Sequence, residues 1–477
     1  MSEFERNRHI KYIANSLLRN LPKQYSNADT SRLTLVYFCV VSLDVLGCLP
    51  DHRHRRGGTD DGGRGGGRMT TTCCGLVEEE MLIPRDVIVE WIYGLAAFPS
   101  SGGGGICGFR GGTYLGPIVG TPPSSSSSSD DDDDDDDVVR PMTRRSDDGR
   151  HPYDHAHLAM TYVALCTLLT LGDDLSRVDK YGMMRTLRLL QRDDGSFSSV
   201  LSMSNGRLRR TSPSGRGTRR GRRRRDGDGD EDDDDDDDDS DLRFVYTAAA
   251  IRYILLHCRD DGSSSFKSED DENATIDIDV DSAVSYVLSC RSYDGGLGLS
   301  PGGEGHGGST FCGIASLRLL GVLDDVMDAE CGWREELVRW CATRQRGGMQ
   351  GRPNKPEDTC YSYWIGGTLN LLSMSHLLDG CALREYVLSC QTPYGGFGKV
   401  MGVMPDLLHS FYSIAWLSLS NVGGCCDCRH RADADDCKGY DEDGRREDIL
   451  DRSIGRLSEL DCALGMCMKR VRRPAIG

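Results

Sequence analysis

No stretch of this sequence is both apolar enough and long enough to cross a bilayer as a helix. The longest candidates are residues 33–49, which Asp44 interrupts, and residues 158–171, which are too few. Residues 1–6 contain three charged side chains and no apolar h-region follows them, so we expect no secretory signal. These absences predict a cytoplasmic protein without membrane insertion, in which most of the 20 cysteines are free thiols or packing residues.

Apolar residues are scarce, at 38% of the chain, and the negative charge is concentrated in two places. The net charge of −18 comes mainly from two aspartate runs, residues 130–137 and 232–239, which hold 16 of the 75 acidic residues. An arginine-rich segment, residues 216–225, is a candidate nucleic-acid patch. Because the second aspartate run lies beside it and largely neutralises it, we expect no nucleic-acid partner.

Several segments contain too few apolar residues to offset the entropy that ordering them would cost. We interpret them as disordered loops inserted between ordered elements. The segments are residues 51–72, 121–150, 201–240, 259–272 and 423–446. The rest of the chain predicts one domain over residues 1–420, followed by a polar insert and C-terminal tail over residues 421–477.

A glycine-rich turn with one apolar side chain recurs along the chain. The five copies are residues 108–111, 194–197, 294–298, 347–349 and 395–398. The last three copies are 52 and 48 residues apart, and the two earlier spacings fall to 57 and 60 when the inserts are left out. Such a period, near 50 residues, is typical of a repeat architecture.

Apolar runs of helical length separate the turns. They occupy residues 157–171, 246–257, 282–290, 311–323, 362–378 and 407–419. Residues 311–320 are apolar on most faces, as in a buried inner helix, whereas residues 333–344 alternate charged and apolar positions, as in an outer helix. No period-2 strand run of similar strength exists. We therefore predict an all-α fold, an α/α barrel (toroid) of inner and outer helices built from roughly 50-residue helix-pair repeats. One rim should collect the turns and the helix N-termini, which favour anions.

The densest group of reactive side chains lies just before a predicted inner helix. Asp358 and Cys360 are two residues apart, and residues at this spacing do not share a helix face. They converge on one ion only at a helix entrance, which is where Pro356 places them. His409, near the start of the next inner helix, offers a third ligand. An oxygen, sulfur and nitrogen set predicts a zinc site with one open position, although a lone histidine at a helix start is often a cap or core residue.

Cationic side chains flank this candidate zinc site. Arg352 and Lys355 lie shortly before it in the sequence, and His306 lies in the preceding repeat, followed by Gly307 and Gly308. Glycines let the backbone approach an anion closely. Each feature alone is compatible with an ordinary surface, but their position at successive turns predicts a diphosphate-binding rim.

Ten stretches of the chain carry a family likeness. They are residues 29–35, 90–93, 108–111, 114–116, 151–154, 172–177, 242–246, 306–317, 351–364 and 405–409. Together they resemble the β subunits of protein prenyltransferases, most closely those of protein geranylgeranyltransferase type I. The likeness runs in collinear order from about residue 8 to residue 420, and the segments predicted as disordered are what it skips.

The resemblance implies a role for each candidate residue. Asp358, Cys360 and His409 match the zinc ligands at the family's catalytic centre. Trp364 matches a residue that lines the isoprenoid pocket, and Arg243 matches one near the C-terminus of the substrate peptide. The residues that match the binding site for the diphosphate of the lipid donor are His306, Gly307, Gly308, Arg352, Lys355 and Tyr361.

Fewer residues separate the members of the family. Thr34 stands where farnesyltransferases carry a bulky Trp, and its small side chain leaves room for one more isoprene unit. Phe38 and Leu408 belong to the same lipid-length pocket. Lys399 stands where farnesyl and Rab-type enzymes carry an Asp linked to magnesium. Because its ammonium neutralises diphosphate charge itself, the resemblance implies no requirement for Mg²⁺. The resemblance also implies one Zn²⁺ per subunit.

The resemblance thus implies an enzyme, the catalytic β subunit of geranylgeranyltransferase type I. It would transfer a geranylgeranyl group from geranylgeranyl diphosphate to the Cys thiol of a C-terminal CaaX motif, with X mostly Leu or Phe, in small GTPases and similar proteins. An α subunit would be its obligate partner. The alternatives are a farnesyltransferase or Rab-type β subunit and a non-catalytic helical scaffold.

A second cysteine cluster is also conspicuous. Cys425, Cys426, Cys428 and Cys437, together with His430, are metal-binding residue types, but their spacing fits no standard zinc finger and they lie in a polar insert. We therefore do not expect a structural zinc there.

Overall fold

The computed structural model describes residues 3–19, 30–49, 84–98, 106–112, 156–200, 240–257, 275–422 and 457–467, together with the isolated residues 21, 25 and 28. Four further short stretches and one residue pair, 202–204, 207–209, 438–440, 446–448 and 266–267, are described as strands. Most of the segments that the sequence predicts as disordered, and the cluster from Cys425 to Cys437, lie outside the described residues.

Thirteen α-helices make up the described part of the chain. Six of them are the most apolar and most deeply buried: α2 (Arg32–Val45), α4 (Leu158–Thr170), α6 (Leu242–His257), α8 (Gly307–Leu320), α11 (Thr359–Leu371) and α13 (Leu407–Val422). Six others each precede one of these: α1 (Arg6–Leu18), α3 (Arg85–Tyr93), α5 (Lys180–Leu190), α7 (Val280–Ser289), α10 (Trp333–Ala342) and α12 (Gly380–Ser389). Helix α9 (Leu323–Ala329) and a 3-10 turn (Ser375–Leu377) lie in connections.

The six apolar helices form a closed inner ring. Each packs against the next, in the order α2, α4, α6, α8, α11 and α13, and α13 packs back on α2. Each outer helix packs on the inner helix that follows it, so the repeat unit is a helix pair. The predicted α/α barrel is confirmed.

Strands contribute little to the described residues. All ten are two or three residues long and form five antiparallel pairs: β1 (Ala96–Ala97) with β2 (Gly108–Phe109), β3 (Ser202–Ser204) with β4 (Arg207–Arg209), β5 (Phe266–Lys267) with β6 (Thr275–Ile276), β7 (Lys438–Tyr440) with β8 (Arg446–Asp448), and β9 (Leu460–Asp461) with β10 (Met466–Cys467). None of the helices in the described ranges is both long and apolar enough to span a bilayer.

The five glycine-rich turns have one structure in common. The apolar residue of each is fully buried, which places Phe109, Phe197, Leu297, Met349 and Phe397 in the core. Four turns contain a glycine with positive φ, at Gly195, Gly295, Gly347 and Gly395. Residues with a Cβ rarely adopt this conformation, so the recurring glycine is a backbone requirement.

Each turn also holds the inner helix of the preceding repeat. In five cases a backbone N–H at the start of an inner helix donates to a carbonyl of the next turn region. These pairs are Leu33 to Gly111, Leu158 to Ser199, Leu242 to Leu299, Gly307 to Gly351 and Thr359 to Lys399. The helix N-termini and the turns therefore lie at one rim, as predicted.

Three inner helices, α6, α8 and α11, begin earlier than their apolar runs suggest. Helix α8 starts at Gly307 because the His306 side chain accepts the N–H of Gly308, and α11 starts at Thr359 because Asp358 accepts the N–H of Cys360. Helix α8 then ends at Gly321, whose φ is 80°, so the predicted extension to residue 323 is wrong.

The side chains of three glutamines link successive outer helices by hydrogen bonds to the backbone. The side-chain amide of Gln191 bonds both the N–H and the carbonyl of Asp279, and Gln345 does the same with Asp379. Gln391 accepts the N–H of Glu5 and donates to the carbonyl of Glu3, at the entry to α1. The first helix of the chain thereby docks on the last turn, and this contact closes the outer layer.

The C-terminal hairpin, residues 457–467, differs from the expectation that everything beyond residue 420 is a polar insert and tail. Residues 462–467 are buried, and the hairpin packs on α2, α4 and α13. Four inner helices each donate one tyrosine hydroxyl to its backbone carbonyls. The pairs are Tyr37 to Gly465, Tyr162 to Leu464, Tyr246 to Ala463 and Tyr363 to Cys462, at 2.7–2.9 Å. The hairpin follows a long polar segment, so the sequence alone does not indicate that residues 462–467 are buried.

Candidate functional site

The entrance of α11 presents two of the predicted metal ligands side by side. Asp358 is the N-cap residue, and its Oδ1 accepts the N–H of Cys360 at 2.9 Å. A residue in the N-cap position has an extended backbone, so its side chain turns toward the helix end and not out along a face. This is how two residues only two positions apart reach the same space.

His409 approaches from the first turn of α13. Its Nδ1 donates to Asp406 Oδ2 at 2.6 Å, and its Nε2 lies 3.3 Å from Asp358 Oδ1. Asp406 also accepts the N–H of His409 at 2.8 Å, so one carboxylate fixes both the backbone and the ring. A proton held on Nδ1 orients the ring so that Nε2 faces the cluster, where its lone pair becomes a ligand once the second proton is displaced.

The ligand atoms of Asp358, Cys360 and His409 all lie within 4.8 Å of one another. Asp358 and Cys360 are 6% and 7% exposed, and the side chain of His409 is 15% exposed. Within the described residues this is the one group of three such donors around a common space. One carboxylate, one thiol and one imidazole fit a zinc ion with a fourth position open.

The protonation of the three side chains reflects their crowding. Burial lowers the pKa of His409, but hydrogen bonds to Asp358 and Asp406 outweigh it and raise that pKa to about 9. Burial raises the pKa of Asp358, but bonds from His409 and Cys360 bring it below its usual value. Burial and then the Asp358 charge raise the pKa of the Cys360 thiol. Protons therefore occupy the space between the donors, and a divalent cation bound there would displace them.

Lys399 lies beside the cluster on the fifth turn. Its Nζ is 3.6 Å from Asp358 Oδ2, and its side chain is largely exposed. Such a pair is weak in water, so the ammonium remains available to another anion at the rim.

His306 and Tyr361 form a second polar pair, between α8 and α11. Nδ1 of His306 accepts the N–H of Gly308 at 3.1 Å, so a neutral ring carries its proton on Nε2. That nitrogen lies 2.9 Å from the hydroxyl oxygen of Tyr361. The imidazole thus donates to the phenol, which leaves the phenolic proton for a further acceptor. Burial lowers the pKa of His306, with Arg352 adding to the effect, and burial raises the pKa of Tyr361 to about 12.

Gly351 makes this pair possible. Its carbonyl accepts the N–H of Gly307, and a Cβ at this position would overlap the ring of Tyr361. The close approach of the Tyr361 ring explains why residue 351 is a glycine although its φ is not positive. Gly307 is similarly confined, since a Cβ there would lie 2.9 Å from Ile365.

Arg352 and Lys355 lie on one tight turn. The N–H of Lys355 donates to the carbonyl of Arg352, and Asn354 between them has a φ of 61°. Arg352 pairs with Glu304 at 2.6 Å, and both side chains are substantially exposed, whereas Lys355 is exposed at the surface. An exposed pair of this kind contributes little stability and is readily exchanged for a stronger anion.

An aromatic cluster lies beneath the polar rim. The ring centroid of Trp364 is 4.3 Å from that of Tyr412 and 5.1 Å from that of Phe311. Phe38 stacks on Phe411 at 5.0 Å and contacts Tyr412. The cluster is suited to an apolar chain that has flat, flexible units.

The remaining predicted residues lie at the helix entrances. Thr34 is half-buried in the first turn of α2, 3.6 Å from the sulfur of Met160. Leu408 is 41% exposed in the first turn of α13, beside His409. Arg243, in the first turn of α6, forms a bidentate ion pair with Asp241, from Nε to Oδ1 and from an Nη to Oδ2.

Sequence reasoning missed the residues that position these groups. Asp406, Glu304 and Gly351 each touch a predicted site residue, at His409, Arg352 and Tyr361 respectively. Only Asp406 carries a sequence signal, because an acidic residue three positions before a helical histidine lies within reach of its ring.

Comparison with known proteins places most of the chain in one family. The model of the prenyltransferase alpha-alpha toroid domain matches residues 4–64 and 69–464. The β subunit of geranylgeranyl transferase type-1 from Arabidopsis thaliana is 32% identical over 430 residues, 89% of this chain and 87% of the relative. The same subunit from Dictyostelium discoideum is 30% identical over 411 residues, 85% of this chain and 88% of the relative.

A solved structure has the same fold. Candida albicans protein geranylgeranyltransferase-I complexed with GGPP superposes with a TM-score of 0.61 and 21% identity, covering 98% of this chain and 97% of the matched one. The closed ring of helix pairs, the family match over nearly the full length and the two long relatives agree. This chain belongs to the prenyltransferase family with an alpha-alpha toroid domain.

Proposed function

We propose that this chain is the catalytic β subunit of a geranylgeranyltransferase type I. It transfers a geranylgeranyl group from geranylgeranyl diphosphate to the Cys thiol of a C-terminal CaaX motif, with Leu or Phe favoured at X. The observation that carries the proposal is the convergence of Asp358, Cys360 and His409 within 4.8 Å, beside a row of cationic and hydroxyl side chains. The type-1 identity rests on the two long relatives.

Asp358, Cys360 and His409 would hold one Zn²⁺. The bound ion would supply Lewis acidity that keeps the substrate thiol deprotonated near neutral pH. Asp406 holds the His409 ring through Nδ1, so that Nε2 remains a ligand. Burial of Asp358 and Cys360 keeps competing water away from two of the three donors.

The rim residues would bind the leaving group. The thiolate attacks C1 of the donor, the C1–O bond breaks, and the electron pair leaves with the diphosphate as the thioether forms. Tyr361 donates its phenolic proton to a diphosphate oxygen, while Arg352 exchanges Glu304 for the more highly charged anion. Gly307 and Gly308 offer close backbone approach at the start of α8, and Lys355 adds a further positive charge.

Lys399 would make Mg²⁺ unnecessary. Its ammonium lies at the same rim, 3.6 Å from Asp358, and provides fixed positive charge near the departing oxygens.

The lipid would lie against the aromatic cluster below the rim. Trp364 would contact the isoprene units, and Thr34, Phe38 and Leu408 would limit the chain length. Arg243 would lie near the C-terminus of the peptide. The proposal includes an α subunit as obligate partner and a cytoplasmic location.

A transfer assay tests this function. The chain is co-expressed with a prenyltransferase α subunit and incubated with a peptide ending in Cys-a-a-Leu or Cys-a-a-Ser and with C15 or C20 diphosphate. We expect the highest kcat/KM for the C20 donor with the Leu peptide, in buffer that contains Zn²⁺ and no Mg²⁺. Preference for the C15 donor and the Ser peptide would identify a farnesyltransferase instead. A zinc-free purified complex that transfers neither lipid would identify a non-catalytic scaffold.

A further inference from the structure

The loop before α8 presents an acidic side chain to the rim that is proposed to bind diphosphate. Glu304 lies two residues before His306, and its Oε2 accepts a hydrogen bond from Nη1 of Arg352 at 2.6 Å. Burial lowers the pKa of His306, Arg352 adds to this effect and Glu304 opposes it. The ion pair therefore acts electrostatically on a residue that the diphosphate would contact.

The backbone places Glu304 at the rim. On one side, a Cβ on Gly298 would lie 2.7 Å from the carbonyl carbon of Gly303, so the loop folds tightly back on itself. On the other side, a Cβ on Gly305 would lie 2.7 Å from Oδ1 of Asp294. These close contacts fix the path of the chain before and after Glu304, so its carboxylate faces the guanidinium because of the loop structure.

Two carboxylates pair with cations at this rim, and ligand binding affects them differently. Asp358 lies 3.6 Å from the ammonium of Lys399 and would become a zinc ligand. Glu304 does not belong to the group of donors around the candidate zinc position. Within the described ranges, Arg352 is its one cationic partner. When diphosphate takes the place of the carboxylate on Arg352, the negative charge of Glu304 remains beside the bound anion.

Repulsion from this carboxylate should act more strongly on the product than on the lipid donor. The substrate thiolate loses its charge as the thioether forms, and the electron pair of the broken C1–O bond leaves with the diphosphate. The leaving diphosphate therefore carries one more negative charge than the donor ester. Like charges a few Å apart at a partly exposed site repel each other, and dissolved salt screens this repulsion.

We propose that Glu304 assists the release of inorganic diphosphate by competing with it for Arg352. The inference rests on the proposed function. In the free enzyme the ion pair occupies the guanidinium, the donor displaces the carboxylate, and the pair forms again as the product leaves. The two side chains are 52% and 40% exposed, so the exchange takes place in contact with water. Glu304 touches no reacting atom and influences the affinity for the product, not the chemical step.

Glu304→Gln tests this competition because it keeps the size of the side chain and removes its charge. For the complex with the α subunit, we would measure the inhibition constant of inorganic diphosphate, the dissociation constant of the C20 donor and the single-turnover rate. We expect the inhibition constant to fall about threefold to fivefold, since exposed ion pairs change equilibria by up to such factors. The donor should bind more tightly by a smaller factor, and the single-turnover rate should stay unchanged. High salt should reduce the difference in inhibition constant.

Two further variants serve as controls. Glu304→Asp keeps the negative charge and should keep an inhibition constant close to that of the parent complex. Glu330→Gln removes a carboxylate from a similar exposed pair, with Arg291 at 2.7 Å, in the connection that precedes the outer helix α10. This variant should bind inorganic diphosphate as the parent complex does.

The measurements distinguish this inference from the proposed function. If the unaltered complex transfers no lipid, the proposed function fails. If it transfers lipid and Glu304→Gln leaves the inhibition constant unchanged, Glu304 does not compete for Arg352. A higher inhibition constant in that variant would mean that Glu304 orients Arg352 toward the anion, and this result would also overturn the inference.

Discussion

The imidazole of His9 lies face to face on the ring of Phe397, with centroids 4.5 Å apart and planes within 7° of parallel. Phe397 is the buried residue of the fifth turn, and Phe4 covers the opposite face of the imidazole. Nδ1 of His9 accepts the N–H of Gly396, and Nε2 bonds Gln391. The first helix pair is thereby joined to the last through a fully buried, neutral ring.

Stability should fall in mild acid because of this histidine. Burial lowers the pKa of His9 to about 4, although the bond to Gln391 opposes the shift, whereas an unfolded histidine titrates near 6.5. The unfolded chain therefore binds one more proton between these values, and stability is lost as pH falls from about 6.5 to about 4. The loss amounts to at most about 3 kcal/mol. In thermal unfolding, the His9→Gln variant should be less stable than the parent chain at pH 7. Its stability should also depend less on pH.

His376→Gln is the control for this measurement, since that histidine is exposed on the 3-10 turn. A parent chain and a His9→Gln variant with parallel pH profiles would contradict the prediction.

Replacing Asp358 by Asn should remove zinc while keeping the helix cap. Asparagine caps a helix about as well as aspartate, but its neutral oxygen is a poor zinc ligand. We expect Asp358→Asn to contain well under one zinc per subunit and to lose transfer activity by at least about a hundredfold. Asp379→Asn changes the same kind of cap on α12 and should retain both. Full zinc content in the Asp358 variant, measured by atomic emission, would contradict the assignment.

Tyr361→Phe should slow the chemical step more than it weakens donor binding. The hydroxyl is proposed to donate to the departing diphosphate, and loss of one such donor typically costs about a hundredfold in rate. Single-turnover experiments separate this rate from the dissociation constant of the donor. An unchanged single-turnover rate would assign Tyr361 to packing on Gly351 alone.

Lys399→Ala should create a dependence on Mg²⁺. Removing the ammonium takes away fixed positive charge at the rim, which a diphosphate-bound Mg²⁺ can replace. We expect the variant to be slow in Zn²⁺-containing buffer without Mg²⁺ and to recover as Mg²⁺ is added, while the activity of the parent complex does not depend on Mg²⁺. Equal rates for the variant with and without Mg²⁺ would contradict this role.

Thr34→Trp should shift lipid choice toward the shorter donor. The position lies in the first turn of α2, where Thr34 contacts Met160 and is only half-buried. A larger ring there takes the space of about one isoprene unit, so kcat/KM for C20 should fall relative to C15 by about tenfold or more. Thr34→Ser keeps a small hydroxyl side chain and should preserve the preference for the C20 donor. Unchanged C20 preference in the Trp variant would remove Thr34 from the length pocket.

Much of the architecture follows from sequence because it repeats. The glycine turns, the apolar helices and their period of about 50 residues predict the ring, and each turn proves to bury its one apolar residue. The spacing of Asp358 and Cys360 requires a helix entrance, which the N-cap geometry supplies. Such features depend on local backbone rules and on few residues.

Contacts between segments that are distant in the sequence could not be predicted from the repeat pattern. Gln391 bonds Glu3 across 388 residues, and Tyr37 bonds Gly465 across 428. Neither glutamine nor tyrosine at these positions differs from an ordinary surface or core residue until the ring is closed. The hairpin in particular follows a polar segment, so its burial depends on a site that the rest of the fold creates.

The order of synthesis gives the hairpin a further consequence. Residues 462–465 leave the ribosome after all six inner helices, so the tyrosine hydroxyls remain hydrated until the chain is nearly complete. A chain terminated before residue 460 would lack the four backbone carbonyls that these buried hydroxyls bond. The interior of the toroid therefore acquires the last hydrogen-bond partners of its buried hydroxyls only in the final steps of translation.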